Sequence, residues 1–532
     1  MADKQDIHDR GKKKLSVNFL LAWLNLDKLS RVLWGLVLLT LPVTSFRYFP
    51  LLGKHTQVRP LAFYPLALLY LILVLRLLRK EIKLPWSNAL LPLLLFFLFT
   101  ILATAAGALL SPIPMRGQEY WARALRAFLT FGIGLSFFIA ALWMHRDQDD
   151  LRYSLKWLYA GLFLTMLWAG VQALAFYTPL LTKAQVSELQ LLFSMRGIPK
   201  LRRVSGFAFE ASWLAGQIVT LYLPWLFASL LTRFRATKYT WLEPLLLLGS
   251  LAVLFLTYSR GGLLIGIIAT GVTLLISGKK AISRLFGWFF NPKEINRHGA
   301  ENAKILLKMP RTKNLGALKK TWRTWQLGGS KTYNFTIRAI LFTLIIAIVW
   351  GGISFLAQQK YVSRLWTVEA TSISDYFVKT NAGGRFTYLW AETQLFLDYP
   401  IFGTGLGSSG LYLYQYIPDW ALYNNPEVTK QLTPTSQLYP NSKNLYLRLL
   451  AETGIFGFTI FISFLLAILA QIAKSLRQNK LIGTAGLFSF IAILTYYLMQ
   501  DSFAMAELWV NFGIILGITY RTAKTQRTLR KP

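Results

Sequence analysis

Arginine is the side chain best suited to grip a diphosphate. Its planar guanidinium offers two parallel, charge-assisted hydrogen bonds and does not lose its charge. Arg203 precedes an apolar run in RRVSGFAFEASWLAG, and Arg260 opens another in TYSRGG. Charges at such depths are costly and usually have a partner or a task. The glycines behind Arg260 let backbone approach a ligand, and a helix start there would favour an anion. A third arginine, Arg385, follows paired glycines in GGRFTYLWAETQLFLDYPIFGTGLG. Taken singly, Arg203 and Arg260 each read equally well as a snorkelling interface anchor; both on the outer face, with Arg385 in the outer loop, they argue for an anion site. Glu210, seven residues after Arg203, could pair with it, serve as a base, or be a structural carboxylate hydrogen-bonded to its neighbours. Further on, PNSKNLYLRLLAETGIFG brings Lys443, Asn444 and Glu452 close to the start of an apolar run. The competing reading is a helix start capped by Asn441 or Ser442.

Gly405-Leu-Gly407-Ser-Ser-Gly410 spells G-x-G-x-x-G. A dinucleotide site needs a strand before that motif and a helix after it. Here it follows a short amphipathic helix expected over 385–399, so a glycine-rich turn is the simpler expectation. The chain has no cysteine, which excludes disulfides, thiolate metal sites and cysteine nucleophiles. Four histidines (His8, His55, His145 and His298) do not suggest a metal centre, and no metal or cofactor is expected.

The elements that must position these residues are membrane helices. Of 532 residues 54% are hydrophobic, and the mean hydropathy is +0.42, as in multi-spanning membrane proteins. A span needs about 20 mostly apolar residues. About twelve runs qualify, near 31–46, 61–77, 88–110, 124–144, 154–177, 207–231, 241–258, 260–277, 339–357, 453–473, 481–499 and 503–520. The fold class expected is an all-α integral membrane protein with a large periplasmic loop between the ninth and tenth spans.

The formal charge of +35 suits a nucleic-acid binder or a protein obeying the positive-inside rule. The second fits better, because basic residues gather in alternate loops: Arg76 to Lys80, Arg233 to Arg235, Lys474 to Arg477 and the tail after Tyr520. The 278–338 stretch adds fourteen Lys and Arg against Glu294 and Glu301. It reads as a solvated cytoplasmic loop near acidic headgroups rather than a specific lipid or nucleic-acid site. With twelve spans these segments share the cytoplasmic side, while 178–206, the Tyr258–Gly262 connection and the outer loop share the other. The resulting domains are a basic cytoplasmic tail at 1–30, a transmembrane region at 31–357, a large extracytoplasmic loop at 358–452, C-terminal spans at 453–520 and a basic cytoplasmic tail at 521–532. No internal repeat or low-complexity segment is visible.

At RVSGFAFEASWLAG, TYSRGG, GGRFTYLWAETQLFLDYPIFGTGLG and SKNLYLRLLAETGIFG the chain resembles the O-antigen ligase and polymerase family of bacterial envelope enzymes. The resemblance covers roughly 200–460 and rests on the order of these pieces about a large outer loop. It implies a helical, lipid-linked glycosyltransferase of the inner membrane, with an undecaprenyl-diphosphate-linked glycan as donor and a glycan or lipid as acceptor. No nucleotide sugar, metal or nucleic acid is implied. Carried onto this chain, Arg203 and Arg260 would hold the donor diphosphate, with Arg385 a third candidate and Asn444 a substrate contact. The family's ligases carry histidine before that asparagine as a proposed base; here the position is Lys443. A lysine is protonated near neutral pH unless strongly desolvated. The base would then be Glu210 or Glu452, or Lys443 would bind phosphate and the acceptor would differ, which tilts the reading toward a polymerase. Two rival classes remain: an inorganic-anion transporter of the bicarbonate type, a label some members of the family have carried, and a non-catalytic assembly component whose loop docks glycan.

Overall fold

The computed structural model describes residues 25–48, 57–84, 86–199, 202–279, 360–380, 382–422, 425–432, 439–441 and 443–529, with isolated positions between 282 and 358. The expected run at 339–357, most of the basic stretch at 278–338 and the tail before residue 25 lie outside the described residues. Among the described residues the only non-helical pairings are isolated bridges. The chain divides into two compact units, 1–272 with 372–532, and 273–371.

The first unit begins with α1 (Leu26–Thr40), α2 (Phe63–Leu78), α3 (Leu91–Ala108, entered through a 3-10 turn from Asn88), α4 (Tyr120–Met144), α5 (Gln148–Tyr177) and α6 (Lys183–Leu191). It continues with α7 (Ala211–Thr232), α8 (Leu242–Leu256) and α9 (Arg260–Ser277). The second unit contains α10 (Lys360–Thr367). The first unit resumes with α11 (Ile373–Lys379), α12 (Gly383–Asp398) and the short α13 (Ser409–Tyr412), α14 (Asp419–Leu422) and α15 (Pro426–Leu432). It closes with α16 (Leu445–Gln478), α17 (Lys480–Tyr496) and α18 (Val510–Leu529).

Among the described residues six helices are long and apolar enough to cross a membrane: Asn88–Ala108, α4, α5, α7, α9 and α16. Four shorter apolar helices, Phe63–Leu78, Leu242–Leu256, Lys480–Tyr496 and Ala506–Thr519, accompany them. Their side chains divide as a bilayer solvent requires. Leu68, Leu71, Leu94, Leu98, Leu102, Leu245, Leu248 and Ile267 lie exposed in rows, which in water would be a large unpaired apolar patch.

The interior is aromatic. Trp509 lies against Phe131, Phe138, Phe464 and Phe503, and Phe131 and Phe503 approach to 4.8 Å between ring centroids. Gly134 on α4 makes the room: a Cβ there would sit 2.3 Å from the Trp509 ring nitrogen. Such close backbone approach at a small residue is how membrane helices associate when apolar burial gives no advantage over lipid.

Helix α7 is almost wholly enclosed and contains a π-turn at Ile218–Tyr222, which frees backbone carbonyls from the helical ladder. Asn511 of α18 meets them, its Nδ2 donating to Thr220 O at 2.8 Å and to Ser489 Oγ at 2.9 Å, while its Oδ1 accepts from Trp225 Nε1 at 2.7 Å.

Helices α12 to α15 form a cap with its own small core. Tyr388, Ala391, Leu395, Leu411, Leu413 and Val428 are buried together with Tyr120 of α4 and Ala451 of α16. The glycine-rich turn fastens this cap to the bundle. Thr404 N donates to Ala451 O at 2.9 Å, Gly405 N to Glu452 O at 2.8 Å and Ile455 N to Pro400 O at 2.8 Å. These bonds bracket Gly454, where α16 is broken at φ 61°, ψ −170°. The amides of Thr404, Gly405 and Leu406 are all spent on protein acceptors, which agrees with a packing turn and not a phosphate cradle.

Candidate functional site

The connection from α17 to α18, Tyr496-Tyr497-Leu498-Met499-Gln500-Asp501, receives Arg385, the first residue of α16 and Arg448. Arg385, in the first turn of α12, donates from Nη1 to Met499 O at 3.3 Å. Leu445 N, the first residue of α16, donates to Tyr497 O at 2.8 Å. Arg448 Nη1 donates to Asp501 O at 2.7 Å. From the side of α9, Gly261 lies against the Met499 side chain, where a Cβ would fall 2.3 Å from Met499 Sδ.

Arg260 heads α9 and donates from Nη2 to Thr380 O, the C-terminal cap of α11, at 3.3 Å. Ser259 Oγ accepts from Gly262 N at 3.2 Å and closes the helix start. Arg203 lies in an extended segment fixed to the end of α8: Val204 N donates to Leu256 O at 3.1 Å, and Arg203 Nε donates to Thr257 O at 2.8 Å. Tyr177 supports this from α5, its hydroxyl bonded to Tyr258 at 2.8 Å and donating to Arg202 O at 3.1 Å. The three arginines are therefore linked in sequence around one end of the bundle: Arg203 to the residue three before Arg260, Arg260 to the residue five before Arg385, and Arg385 back to the connection that meets Gly261.

Glu210 precedes α7 in extended conformation, φ −136°, and its side chain does not cap that helix. Its partner is Arg196 at 3.0 Å, not Arg203, and Ser212 Oγ donates to it at 3.3 Å. The reason is local. Arg203 is turned toward α8 by the backbone pairing of Val204, while the segment after α6 brings Arg196 over the Phe209 ring beside Glu210. Glu210 and Arg385 both act electrostatically on Tyr496, so they face the same region.

Lys443 occupies the left-handed region, φ 51°, at the tight entry to α16. Asn444, not Asn441, is the cap of that helix, its Oδ1 accepting from Leu447 N at 3.1 Å; Ser442, the other expected cap, lies outside the described residues. Lys443 acts electrostatically on Asp501, so it belongs to the same connection. Glu452 is 1% exposed, and both its oxygens are engaged: Oε2 by Arg448 Nε at 3.0 Å, Oε1 by Ser409 Oγ at 3.0 Å.

Sequence reasoning passed over three participants. The YYLMQD connection reads as the tail of an apolar run. Arg448 reads as a surface residue of an amphipathic start; its spacing of four from Glu452 was the available signal. Glu392 lies on α12, wholly buried, and neither carboxyl oxygen meets a donor in good geometry. Burial, with Glu452 close by, pushes its carboxyl up to about 8. Burial likewise raises Asp501. Among the described residues no group of three or more His, Cys, Asp or Glu side chains could hold a metal ion.

Among the described residues the fold is that of a multi-pass, all-helical membrane protein with a helical cap fastened to the start of α16. Residues 315–462, which include the cap and the start of α16, match the sequence model of the family described as O-antigen ligase. The resemblance read from the motifs is thus shown over Arg385, Lys443, Asn444 and Glu452; Arg203, Glu210 and Arg260 lie before the matched stretch. No curated protein matches the chain.

Proposed function

We propose that this protein is an inner-membrane glycosyltransferase that polymerises or ligates undecaprenyl-diphosphate-linked glycan at the periplasmic face. The observation that carries the reading is the contact path joining Arg203, Arg260 and Arg385 around the 496–501 connection, within a protein whose cap matches the O-antigen ligase family. In this reading twelve spans place both termini in the cytoplasm and the cap outside.

The donor's lipid tail lies among the helices, and its diphosphate is held by Arg203 and Arg260 with Arg385 completing the clamp. The acceptor hydroxyl enters under the cap and attacks the anomeric carbon. As the new carbon–oxygen bond forms, the bond to the diphosphate breaks, and the guanidiniums stabilise the charge that gathers on the leaving group. The acceptor proton passes to Glu210, which is half-exposed beside Arg196, whereas Glu452 is enclosed and committed to Arg448 and Ser409. Lys443 and Asn444 line the acceptor side. Lysine in place of histidine favours a phosphate contact at that position and a polymerase over a ligase acting on lipid A core.

The test is glycan profiling of a deletion strain complemented with wild type, Arg203→Ala or Arg260→Ala at equal expression. Each substitution is expected to lower polymer formation by about 100-fold or more, the scale lost with one charge-stabilising donor in other enzymes. Single lipid-linked repeats accumulating would identify a polymerase; intact polymer left on its carrier would identify a ligase. Full-length polymer from both variants would overturn the mechanism. An unchanged profile in the deletion strain, with loss of anion uptake, would assign the arginines to transport.

A further inference from the structure

Glu392 is an expensive residue with no place in the transfer mechanism. A carboxyl group wholly removed from solvent needs a partner or a proton. The charged groups facing it are Glu452 and Arg448 from α16 and Asp501 from the connection after α17. The hydroxyl of Ser409 on α13 also acts on it, while donating to Glu452 at 3.0 Å. Behind these stand Arg123, which acts on Glu452, and Lys443, which acts on Asp501. On α11, which also packs on α12, Asp375 and Lys379 close on each other at 2.7 Å. One guanidinium, Arg448, therefore serves three carboxyl groups, and it is already bonded to Glu452 at 3.0 Å and to the Asp501 carbonyl at 2.7 Å.

Glu392 and Arg385 lie seven residues apart on α12, two turns along one face. Arg385 reaches the connection at Met499 and Glu392 reaches the Glu452–Ser409 pair, so both ends of that face rest on structure leading to the same hub. We propose that Glu392 is a positioning residue, the joint that seats the Arg385-bearing helix on the broken start of α16 and holds only while Glu392 is the neutral acid. Its ionisation sets a second buried carboxylate against Glu452, while the cation facing it, Arg448, is already bonded to Glu452 and to the Asp501 carbonyl. The helix then lifts from the joint and withdraws Arg385 from Met499. The effect on turnover rests on the transferase reading above; the joint itself does not.

The sign follows from the raised pKa. Folded Glu392 holds its proton up to about 8, above the ordinary 4.5. Folding therefore takes up a proton between those values, and this group's contribution to stability shrinks as pH rises through that window and levels beyond it. Within the folded protein the joint opens near pH 8.

The test compares wild type with Glu392→Gln, which is isosteric and cannot ionise, as full-length protein in nanodiscs supplied with lipid-linked glycan. Wild-type turnover is expected to fall about tenfold from pH 7 to pH 9, in step with ionisation of about nine-tenths of a group titrating near 8. E392Q matches wild type at pH 7 and falls less than about twofold. Hydrogen exchange over 383–398 in wild type should lose protection across the same interval. Superimposable pH profiles for the two proteins overturn the proposal. If E392Q yields no folded protein, unchanged protection of 383–398 between pH 7 and pH 9 in wild type overturns it instead. Wild type that transfers no glycan at any pH, yet shows the step in exchange, keeps the joint and removes the transferase reading.

Discussion

Glu210 and Glu452 look equivalent in the sequence, each a lone acid near the start of an apolar run, and the surroundings separate them. Glu452 is enclosed between Arg448 and Ser409, so its removal leaves a buried guanidinium without its counter-charge. Breaking a buried pair from one side costs about 3–5 kcal/mol. Glu452→Ala is therefore expected to lower the unfolding midpoint of the purified protein sharply, with activity lost through folding. Glu210 and Arg196 are each more than two-fifths exposed, and such pairs contribute about 1 kcal/mol or less. Glu210→Gln should leave the unfolding midpoint nearly unchanged while turnover falls at least tenfold. Normal turnover in Glu210→Gln would remove its assignment as proton acceptor. The arginines were legible because charge beside an apolar run is conspicuous. Glu392 was not, because in RFTYLWAETQLFLD it sits in the pattern of an amphipathic helix, and only the packing of Glu452, Ser409 and Arg448 against it reveals its burial.

At the level of elements, apolar runs gave the helices and misplaced their ends. The run expected from 453 is a helix that starts at Leu445, because Arg448 and Glu452, polar in the sequence, pair along one face and are satisfied inside the protein. The run expected from 503 enters through a buried 3-10 turn at Ala506–Leu508 and becomes α-helical at Val510, the turn supported by Trp509 Nε1 donating to Phe503 O at 2.8 Å. At about 1.5 Å per residue α16 would extend about 51 Å, well beyond a hydrocarbon core of about 30 Å. The break at Gly454 divides it into a cap-bearing start and a span. That break requires glycine: at φ 61°, ψ −170° side chains are strained, and a Cβ would sit 2.1 Å from Ile401 O. Gly454→Ala is expected to cost more than about 2 kcal/mol and to loosen the cap, read as a lower unfolding midpoint and faster exchange at 400–412. Gly170, helical with open space where its Cβ would be, is the control; Gly170→Ala should be neutral or slightly stabilising. Equal behaviour of the two variants would mean that the break does not hold the cap.

For the whole molecule the decisive quantity is sidedness, since the arginines act on a periplasmic donor only if the cap faces outward. The charge pattern argues for this: Lys474 and Arg477 at the end of α16 are exposed, and positive charge stays on the cytoplasmic side. The cap lies at the opposite end of the same helix, with Gln415 exposed on it. Because the natural sequence has no cysteine, single-cysteine variants can be made without a background to remove. Gln415→Cys should react with a membrane-impermeant maleimide in spheroplasts, and Lys474→Cys only after the membrane is permeabilised. Gln415 carries no part of the arginine contacts, so its variant should also keep its activity and certify the topology in a working protein. Labelling of both positions from outside would mean that α16 does not cross the bilayer between them. The reverse pattern would turn the cap, Arg385 and the 496–501 connection toward the cytoplasm, where a flipped, periplasmic donor never arrives, and the transfer mechanism would fall with it.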